Sequence, residues 1–192
     1  LRRRKPAAGG ADAGRSDDPA AGLPEPAVAD ASKPCGILVT GVGGTGVVTI
    51  GAILAMAAHL EGKGCTTMDM TGLAQKGGAV VTHVRIADDP ADLHAVKIAA
   101  GGAALILGCD IVVAASADAL SKIDPGRTRV VASTQQTVTG EFTRAPDSVF
   151  PIDALEAALV KTAGAECCDF VAAGRIATAL LGDSIAANMF LA

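Results

Sequence analysis

The sequence predicts a doubly wound α/β domain. From Cys35 onward, runs of β-formers alternate with runs that can wind as helices, the pattern of successive βαβ crossovers. Segments such as "DIVVAAS" and "RVVAS" are apolar at consecutive positions, as strands covered on both faces are. A glycine-rich turn, "GVGGTG", stands where the first of these runs gives way to a helix. Together these imply a mostly parallel, Rossmann-like or flavodoxin-like sheet with helices on both faces.

Residues 1–33 stand apart. They hold four prolines, many Ala and Gly and few bulky apolar side chains, too little to offset the entropy of ordering them. A disordered tail or interdomain linker is expected there, with the domain occupying residues 34–192. Strands are predicted at Gly36–Thr40, Thr66–Met70, Val80–Ile86, Ile111–Ala115 and Val130–Ser133. Helices are predicted at Gly46–Glu61, at Leu93–Ile98 running on toward Leu107, and at Ala117–Lys122. Beyond Thr143, "DALEAALVKTAG" places Leu155, Ala158 and Leu159 on one helical face. "AAGRIATALLGDSIAANMFLA" then reads as helical to the last residue. No Gly or Pro stop follows Leu191, so the domain is expected to continue in a longer parent chain.

Composition removes several function classes. Sixteen basic against twenty acidic residues give a net charge of −4, the wrong balance for a nucleic-acid surface. Trp and Tyr are missing and only four Phe are present, so stacking platforms are scarce. The longest apolar run, Ile98–Cys109, ends at Asp110 well short of the ~20 residues of a membrane helix. The arginines near the N-terminus precede no apolar signal segment. A cytoplasmic protein is expected. The five cysteines (Cys35, Cys65, Cys109, Cys167 and Cys168) form no C-x-x-C, and clusters and structural zinc need thiolates at such short spacings. They read as structural thiols, and no metal site is expected.

Gly41, Gly43 and Gly46 satisfy G-x-G-x-x-G, with Gly44 as a fourth glycine, after a strand and opening a helix as the motif requires. On that pattern Gly41 takes the turn, Gly43 lets the backbone approach an anion, and Gly46 lets helix pack on strand. The N–H groups of Thr45, Gly46 and Val47 would face a phosphate at the helix N-terminus. The same glycines could instead serve packing alone. Asp69, ending the second strand, falls where a ribose-binding acid should lie, or it satisfies the loop that follows. Gly46 is followed directly by Val47 and Val48 rather than by Lys and Ser/Thr, so this is not a P-loop.

A second loop, "DMTGLAQKGGAVVTHVR", leads from strand two into strand three with Gly72, Gln75, Lys76, Gly77 and Gly78. Ligand sites in such sheets form beyond the carboxyl ends of the strands, so the two loops are expected side by side. Lys76 offers a charge, Gln75 an amide, and Gly77–Gly78 a backbone that can be approached closely.

"GVGGTGVVTIGAILAMAAHLEGKG" and "DMTGLAQKGGAVVTHVRIA" closely resemble the gamma domain of the 2-oxoacid:ferredoxin oxidoreductases, nearest the fused indolepyruvate:ferredoxin oxidoreductase form. "TVTGEFTR", "FPIDALEAAL" and "RIATALLGDSIAANMFL" resemble later segments of the same family in the same order. The resemblance implies oxidative decarboxylation of an arylpyruvate on thiamine diphosphate with Mg²⁺. Electrons would leave through [4Fe–4S] clusters to ferredoxin, and the acyl group would pass to coenzyme A. It further implies that this chain holds none of those groups alone. Its place would be against the thiamine-binding and Fe–S domains of an oligomeric enzyme, completing the assembly and walling the active site. Gln135–Gln136 departs from the amide–His pair the family resemblance leads one to expect after the fifth strand.

No side chain reads as a nucleophile or a metal ligand. His59, His83 and His94 lack partners at triad or metal spacing, and His83 reads as a strand-pairing or interface residue. Ser116, Ser133 and Thr134 end strands without a nucleophile elbow. Two other classes fit parts of the pattern: an NAD(P)-dependent dehydrogenase using Gly41, Gly43, Gly46 and Asp69, and a non-catalytic scaffold that binds sister domains through apolar surfaces.

Overall fold

In the computed structural model, residues 33–72, 78–135 and 151–192 are described. The expected tail, residues 1–33, lies almost wholly outside them. Six strands form one sheet: β1 (Cys35–Val42), β2 (Gly64–Thr71), β3 (Ala79–Ala87), β4 (Leu105–Gly108), β5 (Arg129–Ser133) and β6 (Cys168–Val171). Their spatial order is β2-β3-β1-β4-β5-β6. β1 pairs in parallel with β4, β4 with β5 and β5 with β6. β3 is antiparallel to both β1 and β2, so among the described strands β3 alone opposes the rest. The sheet is therefore mostly parallel with one reversed strand.

The helices lie on both faces. Leu38, Ile106 and Val130 point into one core with Ile111, Ala119 and Leu159 from α2 (Ile111–Ala114), α3 (Ala117–Leu120) and α4 (Ile152–Ala163). Their neighbours Val39 and Leu107 point the other way, against Val47 and Ile50 of α1 (Val47–Leu60) and Ala173 and Ala177 of α5 (Ala173–Leu181). Alternate residues of a central strand serving two separate cores is the doubly wound arrangement the apolar runs predict.

Four elements differ from the sequence reading. Ile111–Ala115, read as a strand, begins as helix α2, because Asp110 caps it by accepting the Val113 N–H at 3.1 Å. A short apolar run does not by itself distinguish strand from buried helix, and the cap decides it. The strand at this place is β4, at the end of the segment expected to be helical from Leu93; Pro90–Asp92 makes only a 3-10 turn before it. β6, the far edge of the sheet, was not anticipated. The final helix stops at Gly182, whose φ of 78° is a left-handed cap, and the chain resumes as a 3-10 turn at Ala187–Phe190.

Candidate functional site

β1 runs two residues further than expected and takes Gly41 into the sheet, which redistributes the work of the glycines. A Cβ on Gly41 would stand 2.6 Å from Val47 Cγ2 and 3.1 Å from Cys109 Cβ. Gly41 is therefore the residue that lets α1 close onto the sheet, together with Gly51, where a Cβ would overlap Thr82 Cγ2. Gly44 and Gly46 take the left-handed turn, at φ 88° and 90°, with open space around them. The turn and packing roles are thus exchanged relative to the motif's usual assignment.

Thr45 closes the loop with both its N–H (3.3 Å) and its hydroxyl (2.7 Å) donating to the Val42 carbonyl. The Thr45 N–H expected to face an anion is spent in this turn. No side chain caps α1, and a helix leaves its first-turn N–H groups without intrahelical partners, so Val47 and Val48 keep donors at the loop.

The first glycine loop meets the described end of the second: the Gly43 N–H donates to the Gly78 carbonyl at 2.8 Å. Gly72 closes the base of the second loop, donating to Ala79 O at 3.0 Å. Gln75, Lys76 and Gly77 lie outside the described residues. Asp69 sits on β2, two strands from β1, and its Oδ1 accepts the Thr82 hydroxyl at 2.6 Å. A ribose-binding acid belongs on the strand beside β1. Here reversed β3 occupies that place, which removes the main support for a dinucleotide site.

Two clefts flank the first loop. One, of about 490 Å³, lies at the carboxyl ends of β1 and β4 and is lined by Thr45, Gly46, Asp110, Gln135, Ser184 and Asn188 among others. The helices that follow β1 and β4 leave to opposite faces, so this is the switch-point crevice of the sheet. The other, of about 330 Å³, lies between Gly43, the first turn of α1 and Val80.

Asp110, Gln135 and Asn188 were not singled out as ligand residues from the sequence. A signal for Asp110 was available, an Asp opening a run of Ile and Val. Gln135 was visible only as a departure in a family pattern, and it depends on a glycine far away: a Cβ on Gly174 of α5 would overlap the Gln135 amide. Nothing local marks Asn188.

Among the described residues lining the cleft, no hydroxyl or thiol stands beside a histidine base. Burial, aided by the adjacent Asp110 carboxylate, pushes the Cys109 thiol up to about 12, so it stays protonated. Ser116 caps α3, accepting from Ala119 N–H at 3.4 Å, and Ser133 accepts from Gln135 N–H at 3.2 Å. His83 is fully buried in mid-strand, between Leu38 of β1 and Met68 of β2. Its Nδ1 accepts the Ile98 N–H at 3.2 Å, which leaves the proton on Nε2. Burial first, and then Lys97, lower its pKa. It is a core residue, not a base. Among the described residues no three His, Cys, Asp or Glu side chains converge as metal ligands, and no helix is long and apolar enough to cross a membrane. A Mg²⁺–diphosphate or an iron–sulfur cluster does not fit these residues.

A six-stranded, doubly wound sheet with a glycine loop at its switch point defines the class of protein. Residues 36–192 match the pyruvate ferredoxin/flavodoxin oxidoreductase family, and the chain belongs to it. It is 42% identical over 74 residues to the indolepyruvate oxidoreductase subunit IorB of Archaeoglobus fulgidus, covering 38% of this chain and 35% of that one. It is 30% identical over 128 residues to the subunit of the same name from Methanothermobacter thermautotrophicus, covering 67% and 62%. The matches thus span only part of each relative. The fold is shared with pyruvate oxidoreductase subunit PORC of Thermotoga maritima, at a TM-score of 0.56 and 18% identity over 83% of this chain and 73% of that one. It is shared as well with the 2-oxoglutarate:ferredoxin oxidoreductase of Magnetococcus marinus, solved with 2-oxoglutarate, coenzyme A and succinyl-CoA, at 0.56 and 18% over 82% and 23%.

Proposed function

We propose that this chain is the gamma domain of an indolepyruvate-type 2-oxoacid:ferredoxin oxidoreductase. In that reading it completes the assembly and walls the site where an arylpyruvate is decarboxylated to an acyl-CoA. The observation that carries the reading is the junction of the two glycine loops through Gly43 and Gly78 at the carboxyl end of β1, beside a cleft with no histidine among its described lining residues. Thiamine diphosphate, held by a sister domain, would supply the electron sink for decarboxylation, and its Mg²⁺ and the iron–sulfur clusters would likewise be held elsewhere.

The residues of this chain contribute binding and exclusion of water. Glycines without side chains let the loop backbone come close to an anionic group, and the N–H groups at the start of α1 favour negative charge there. Lys76 and Gln75 of the second loop add a charge and an amide. The partners are the thiamine-binding and Fe–S domains, with ferredoxin engaged by the whole cytoplasmic enzyme. Activity should therefore require those partners. Purified alone with thiamine diphosphate, Mg²⁺, coenzyme A and a viologen dye, the chain should not oxidise indolepyruvate; dye reduction above the protein-free rate would overturn the proposal.

A further inference from the structure

We infer that Asn188 is the positioning residue of the first glycine loop: by holding the Thr45 carbonyl it fixes the orientation of the Gly46 N–H. The inference rests on the reading of that loop as a ligand loop.

Asn188 is 9% exposed, and its side-chain nitrogen donates to Thr45 O at 2.6 Å from 143 residues away in sequence. A carbonyl oxygen only accepts, so the amide must present its NH₂ end. In a planar trans peptide the C=O and the following N–H point in opposite directions. Fixing Thr45 O therefore aims the Gly46 N–H away from Asn188.

The loop needs such a hold. Gly44 and Gly46 have open space around them and left-handed φ values, and glycine reaches several conformations at little steric cost. The two bonds to Val42 O secure the N–H and hydroxyl of Thr45 but leave its carbonyl free to turn. No side-chain cap on α1 does the job instead. Asn188 is itself well anchored: Ala187 and Leu191 are buried in the same core as Val47 and Ile50, and the 3-10 turn closes through Met189 N–H to Ala186 O at 2.9 Å and Leu191 N–H to Asn188 O at 3.3 Å.

The test uses the whole enzyme, with Kd measured for coenzyme A and for thiamine diphosphate in Asn188→Ala, Asn188→Asp and Gly43→Val. Asn188→Ala should weaken the same ligand that Gly43→Val weakens, by roughly three- to tenfold, the worth of one hydrogen bond. Asn188→Asp separates orientation from packing, because it keeps the size of the side chain. As a carboxylate it opposes the Thr45 oxygen and should weaken binding at pH ~8; burial beside that oxygen raises the carboxyl above its ordinary range, so as pH falls to ~5 it takes up a proton, can donate, and should regain affinity relative to wild type. Asn188→Ala should show no such recovery. If both Asn188 variants bind like wild type while Gly43→Val does not, the inference is overturned and the ligand-loop reading stands. An aspartate variant that is weakened without recovery in acid points to packing and equally overturns it. Wild-type binding in all three variants removes both.

Discussion

Gly41 and Gly43 stand two residues apart and carry different constraints. At Gly41 the space for a methyl group is already filled by Val47 and Cys109, whose side chains are buried. Gly41→Ala should lower stability by roughly 1–3 kcal/mol, the usual penalty for overpacking a core, read as a fall in Tm. At Gly43 the nearest atom to a new Cβ is Gly78 O at 3.5 Å, an ordinary contact, so Gly43→Val should leave Tm almost unchanged. If the loop holds a ligand, the same variant should raise the KM of the whole enzyme for coenzyme A by narrowing the cleft beside α1. A large fall in Tm with unaltered kinetics would favour packing as its only role. His83 gives a residue-scale prediction in pH. Its folded pKa lies below its ordinary value of 6.5, so at intermediate pH the unfolded chain binds a proton that the folded chain refuses. This contribution is fully present above pH ~6.5 and is lost as pH falls toward the folded value. His83→Asn, whose Oδ1 can still accept from Ile98 N–H, should flatten that slope in denaturant midpoints measured from pH 7.5 to 5. An unaltered slope would assign the pH dependence to other groups.

At the scale of elements, the sequence showed best what repeated physical cues specify. β1, α1 and β5 were legible because apolar runs and glycine turns agree there. The doubly wound plan was legible because Leu38 and Val39, or Ile106 and Leu107, must both be covered. α2 was misread because four apolar residues fit either state and only the Asp110 cap decides between them. β6 was missed because "CDFV" gains its strand character from pairing with β5, which no local cue announces. The candidate cleft was legible in sequence where its lining is local, at the glycine turn, and hidden where it is not, at Gln135 resting on Gly174 and at Asn188. The second loop remains an expectation at Gln75, Lys76 and Gly77. Oxoacid, thiamine diphosphate and coenzyme A are all anionic, and a lysine meeting one in a partly desolvated cleft contributes about 1.5–3 kcal/mol. A solvated lysine contributes about 0–1 kcal/mol. Lys76→Ala should therefore lower kcat/KM of the whole enzyme by roughly tenfold or more, with partial rescue by Lys76→Arg. Wild-type kcat/KM at low salt would make this loop a plain turn.

For the whole molecule the informative feature is the face that its own fold leaves uncovered. α1, "VVTIGAILAMAAHL", carries only Thr49 and His59 as polar side chains, yet only Val47, Ile50, Gly51 and Ala58 of it are buried. A helix apolar all round is normally buried all round. Instead Ile53 is 43% exposed, Met56 57% and Leu60 79%, while Leu180 and Leu181 of α5 and Ile185 beyond it are also open. The chain belongs to a family in which its relatives are subunits, so this face is the natural candidate for contact with a sister domain in the proposed assembly. Met56→Glu tests that at little risk to the fold, because Met56 points away from the sheet and glutamate is a good helix former. In a sister-domain contact the new carboxylate would lose its water without gaining a partner, a cost of several kcal/mol. Mixed with separately purified sister domains, the variant domain should elute apart from them in size-exclusion chromatography while its Tm stays close to wild type. Retention in the assembly at wild-type affinity would place the contact on another face.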